Sequence, residues 1–148
     1  MTKKLAATFF ACLVSQSSVC FAAEFVSVFS NYKIYPATGD CGGHTLTIVR
    51  DYQLRLIRGD LQTYEGNCED SKVPINNVKF DSVKGTLSFA APTYAHDGQG
   101  GLMIAGEQRF VGVIEKNRVK GKIQYCPISD SCISSEKVTL PAVAKGTP

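Results

Sequence analysis

Beyond residue 23, period-2 alternation of apolar residues is common, and no dozen-residue stretch shows helical spacing without a Gly, a Pro or a β-branched cluster. A period of two places alternate side chains on opposite faces of a strand, so this pattern predicts an all-β chain. Phe25 to Ile34, rich in Phe, Val and Tyr, reads as the first strand. His44 to Arg50 sets Leu46 and Ile48 against Thr45 and Thr47. Tyr52, Leu54 and Leu56 then alternate with Gln53, Arg55 and Ile57, which leaves Arg50-Asp51 as either a turn or a bulge. Asp60 to Glu65, Val78 to Asp81, Gly85 to Ala90 and Ser135 to Val143 supply further short strands.

The clearest unit is Phe110 to Ile123. Phe110, Gly112 and Ile114 share one face, and after Lys116-Asn117 the pattern returns as Val119, Gly121 and Ile123. This predicts a hairpin with a glycine in each arm, where the chain bends or a ring packs on the backbone. Lys116, Arg118, Lys120 and Lys122 make its other side cationic and read as a solvated sheet edge. Ala91 to Gly101, dense in Pro and Gly, reads as one long loop. Seven or eight short strands at regular spacing predict a small antiparallel β-barrel or β-sandwich.

The N-terminus reads separately. Lys3 and Lys4 precede the apolar run Leu5 to Val14, too short for the roughly 20 residues of a bilayer-spanning helix. A cut after Ala22 places Cys20 and Ala22 at the two small-residue positions of a signal-peptidase site. The expected organisation is a cleaved signal peptide over residues 1–22 and a single all-β domain over 23–148. Without the leader, the 148-residue chain becomes 126 residues, and its formal charge falls from +3 to +1 as Lys3 and Lys4 leave. So neutral a chain is a poor partner for nucleic acid.

Four cysteines remain: Cys41, Cys68, Cys126 and Cys132. An even number behind a secretory leader predicts disulfides in an oxidising compartment, hence a periplasmic or secreted protein. Cys126–Cys132 would close a short Pro/Ser/Asp loop, which leaves Cys41–Cys68 as the other pair. The absence of any Cys-x-x-Cys pair argues against zinc, and no metal or cofactor is expected.

Catalytic signatures are sparse. The Gly-x-Ser-x-Gly and His-Glu-x-x-His patterns are absent. His44 or His96 beside a serine and a carboxylate would make a small hydrolase. Phe80, Phe89, Phe110, Tyr52 and Leu54 lining one cavity would make a barrel for a small apolar ligand. The favoured expectation is a non-enzymatic exported domain, of inhibitor or protective-binding type, that binds a protein or other macromolecule of the cell envelope, or one outside the cell. Its contacts are expected on two presentation loops: Tyr94, His96 and Asp97 on one, Ile128 and Asp130 on the disulfide-closed other.

Overall fold

The computed structural model describes residues 24–52, 56–68, 72–128 and 131–144. The expected signal peptide lies outside them, as do Leu54 and Asp130. The strands are β1 (Glu24–Ser30), β2 (Lys33–Ile34), β3 (Cys41–Asp51), β4 (Leu56–Gly66), β5 (Val73–Pro74), β6 (Asn76–Asp81), β7 (Thr86–His96), β8 (Leu102–Glu115), β9 (Arg118–Pro127) and β10 (Ser134–Pro141). There is no helix among the described residues, so none long and apolar enough to cross a membrane.

Every ladder is antiparallel and joins neighbours in sequence, apart from two-residue β2, which β3 pairs as well as β1. One sheet runs β1-β3-β4-β5 and the other β10-β9-β8-β7-β6. They do not close into a barrel; of the two architectures expected, the sandwich is the one that fits. A single bridge, Phe29 to Ala142, and the Val143 N–H donated to the Val28 carbonyl tie β1 to the end of β10.

Alternation explains the core. Leu46 and Ile48 of β3, Leu61 of β4, Leu87, Phe89 and Ala91 of β7, Phe110 of β8, Val119 and Ile123 of β9, and Val138 and Leu140 of β10 all bury between the sheets. Gly112 and Gly121 face each other across the β8–β9 ladder, and the Phe110 ring lies over both. A Cβ on Gly121 would come within 2.5 Å of that ring. Phe110 in turn stacks on Phe89, ring centroids 5.0 Å apart.

Three local expectations are corrected. Ala91 to His96 is strand, not loop; only residues 97–101 turn, with Gly98 and Gly100 at positive φ. Pro92 is tolerated because β6 pairs with β7 only as far as Ala90, which leaves the following residues on an edge where no ladder N–H is needed. Arg50 and Asp51 are neither turn nor bulge but continue β3, opposite Ile57 and Leu56. The cationic arm is no sheet edge either, since β9 lies between β8 and β10. Its charges are instead held locally, with Arg118 and Lys120 both paired to Glu115.

Candidate functional site

Both disulfides form as expected, Cys41–Cys68 and Cys126–Cys132, and they fit an oxidising environment. The first ties the start of β3 to the segment after β4, and the second ties the end of β9 to the segment before β10. Within the first sheet Cys41 and Cys68 sit where β3 begins and β4 ends, and within the second Cys126 and Cys132 sit at the end that carries the β7–β8 turn. The opposite end carries the β6–β7 and β8–β9 turns.

The β7–β8 hairpin projects at the disulfide end. Up to Thr93 opposite Gly106 its inward residues follow the core, and a bulge then leaves Ala105 unpaired and restarts the ladder at Tyr94 opposite Ile104. One extra residue switches the face each following side chain takes. The switch turns Ile104 and Leu102 to the outward face of Tyr94 and His96, and Met103, opposite Ala95 on the other face, is exposed as well. Opposite residues share a face, so Tyr94 stands beside Ile104 and His96 beside Leu102. Asp97 caps the turn, its Oδ1 accepting the N–H groups of Gln99 and Gly101.

The disulfide loop returns against this hairpin. The Ile128 N–H donates to the Ala105 carbonyl at 3.3 Å, and Ile104, Gly106, Cys126, Pro127 and Ile128 line one shared cleft. Ile128 and Ile133 are about 70% exposed on either side of that loop, at 71% and 69%. The two segments singled out in the sequence thus meet, although 34 positions separate Tyr94 from Ile128. The sequence reading missed Leu102, Met103 and Ile104. A run of three apolar residues reads as buried strand, yet both of its faces are exposed.

A polar network spans the gap between the sheets at the same end. The Thr63 hydroxyl donates to Gln108 Oε1 at 3.0 Å. With its single proton so used, the Thr63 oxygen accepts from His44 Nδ1 at 3.1 Å. His44 Nε2 faces Glu136 Oε2 at 3.4 Å, and the ring is buried while Glu136 remains exposed. Pairing of His44 opposite Thr63 on β3 and β4 sets this geometry.

The two other expected sites fare differently. His44 does meet a carboxylate, and Ser134 and Ser135 line its cleft, yet its nitrogens bond Thr63 and Glu136 rather than a serine. Thr63 is no activated nucleophile, because its proton points at Gln108 and His44 is its donor, not its base. His96 lies exposed at the end of β7. The aromatic residues proposed to line a ligand cavity do not surround one. Phe89 and Phe110 fill the core, Phe80 lies under Arg50, and Tyr52 packs edge-on against Phe25 at the surface. No group of three or more His, Cys, Asp or Glu among the described residues could hold a metal ion.

Comparison of the chain with protein-family models, with curated proteins and with solved structures finds no match in any of the three.

Proposed function

We propose that this chain is an exported, non-enzymatic binding domain, periplasmic or secreted, of inhibitor or protective-binding type. Its disulfide-bearing end docks into a concave apolar cleft of a protein partner. The observation that carries this reading is the convergence of Tyr94, Ile104 and Ile128 on one projecting, cross-linked surface. Exposed large apolar side chains grouped at one place mark interaction surfaces, whereas single ones are ordinary. The Cys126–Cys132 bond and the Ile128–Ala105 hydrogen bond hold Ile128 in place before binding, which lowers the ordering cost. The leader supports export, and the cysteine pairing agrees with it.

The test is quantitative recovery of partner from envelope extract by immobilised residues 23–148, using I104S/I128S and, as a control at the opposite end, V83S. Burying an isoleucine contributes about 2 kcal/mol, and about 1.4 kcal/mol is a factor of ten. Recovery is therefore expected to fall at least about tenfold for I104S/I128S and to persist for V83S, with the urea midpoints of all three alike. Equal recovery by the two variants would sink the reading.

A further inference from the structure

The registers of the second sheet set Lys79 of β6, Ser88 of β7, Val111 of β8, Lys122 of β9 and Lys137 of β10 in one transverse row. The row lies on the face turned away from the core, because Phe110 and Ile123, one position along β8 and β9, are buried. Lys79, Lys122 and Lys137 are exposed, and among the described residues none of them pairs with an acid. Lys122 and Lys137 stand directly opposite each other, where like charges repel and cost stability. The arginines of this face are spent on neighbours, Arg109 on Glu107 and Arg118 on Glu115, and Lys120 shares Glu115. The other acid of this face, Asp81, accepts the Val83 and Lys84 N–H groups through Oδ1, at 2.9 and 3.0 Å. The outer face of the first sheet has the opposite balance, with Glu24, Asp51 and Asp60 against Arg58.

Ser88 is short, and a groove of about 320 Å³ opens over β7 between Lys79 and Val111. An ammonium group and a hydroxyl can both donate hydrogen bonds there. Val111, 62% exposed, stands between the lysines of the row. At about 4.8 Å between strands, the row spreads its charges over roughly 19 Å of open sheet rather than around a cleft. Lysine offers a point charge on a flexible stem and demands no fixed partner geometry, whereas the arginine fork matches carboxylates held in place. With its arginines spent and its lysines free, the face suits a plane of mobile phosphodiesters better than the fixed carboxylates of a folded protein.

We infer that the outer face of the second sheet rests on an anionic phospholipid bilayer. Headgroup phosphates supply the counter-charges that Lys79, Lys122 and Lys137 lack within the chain, and one of them sits in the groove beside Lys79 and Ser88. The attachment is peripheral and electrostatic, and each lysine brought to such a surface contributes a factor of about five in partitioning. Phosphates between Lys122 and Lys137 also relieve their mutual repulsion, so the bound state recovers what the free fold gives up. The inference does not rest on the docking end proposed above and stands if that reading fails.

The test is sedimentation of the protein, expressed as the full chain and purified, with vesicles of phosphatidylcholine alone or with phosphatidylglycerol added to about 30%. Binding is expected to the anionic vesicles only, at about 50 mM salt, and to be lost at about 500 mM. K122Q/K137Q should partition at least about tenfold more weakly. K33Q/K72Q removes the same charge from the side of the first sheet and should change partitioning less than about twofold. The urea midpoint of K122Q/K137Q should be no lower than that of the parent, because the substitution removes a repulsion, and this separates lost binding from lost folding. Equal losses in the two lysine variants reduce the effect to net charge and overturn the inference, as does failure to sediment with either vesicle. Binding of soluble polyglutamate, sensitive to K122Q/K137Q, in place of vesicles overturns it in favour of an acidic protein. Loss of vesicle binding in I104S/I128S but not in K122Q/K137Q overturns it by moving the contact to the β7–β8 hairpin.

Discussion

Thr63 on β4 donates its hydroxyl proton to Gln108 Oε1 on β8, a 3.0 Å bond that joins one sheet to the other where apolar packing gives way to polar side chains. With His44 and Glu136 it forms a continuous chain of contacts from β8 through β4 and β3 to β10. These residues link the two sheets beside the surface proposed to dock a partner.

Thr63→Val keeps the shape and removes the shared hydroxyl, which strands the His44 Nδ1–H and the Gln108 oxygen together. The expected loss is about 1–3 kcal/mol in urea unfolding. Gln108→Leu added to it should cost less than the two single changes combined, because one partner is already lost. Strict additivity would show that the network has no energetic coherence.

Gly121→Ala drives a methyl group into the Phe110 ring and should destabilise by about 1–3 kcal/mol. Gly121→Ala combined with Phe110→Leu should recover part of that loss. An unchanged urea midpoint for Gly121→Ala would contradict the ring-over-glycine packing.

Removing the disulfides separates scaffold from presentation. C126S/C132S opens a short loop and should lower stability by about 2 kcal/mol, against about 3.5 kcal/mol for C41S/C68S with its longer loop. Despite the smaller effect on stability, C126S/C132S should show the larger loss of partner recovery. The reverse order of binding losses would move the docking surface away from Ile128.

Glu115 offers a local pH readout. The Arg118 guanidinium bonds its carboxylate and, with Lys120, holds its pKa below the ordinary carboxylate range. A depressed carboxyl pKa stabilises the fold above the unfolded-state value, and the contribution is lost as pH falls through the folded-state value. Arg118→Ala should move the Glu115 titration, followed by carboxyl-carbon NMR, back up towards that range. Because the pair lies at the solvated surface, any change in acid stability should be small. A titration unmoved by the substitution would break the assignment.

Much of the fold is legible in the sequence, for physical reasons tied to particular residues. Leu46, Ile48, Val119 and Ile123 alternate because each strand has a single buried face. Gly112 and Gly121 were readable as a site of ring packing because no side chain fits beneath Phe110. The cysteine pairing follows from short loops between sequence neighbours. Register is the information that local patterns lack. The bulge that turns Leu102 and Ile104 outward depends on the count of residues in two paired strands, and Ala105 shows no local sign of being the extra one. Likewise, no spacing rule brings Glu136 to His44, since they meet only after both sheets have formed and stacked.

The consecutive order of the disulfides bears on how the chain acquires them. Each bond joins a cysteine to the next one in sequence, and each lies within the part of the chain that builds one sheet. An oxidase that links cysteines in the order they emerge during export would therefore make the native pairs directly. Maturation is expected to proceed at a normal rate in cells lacking a disulfide isomerase, with the last covalent act fastening the Ile128 loop in its presenting position.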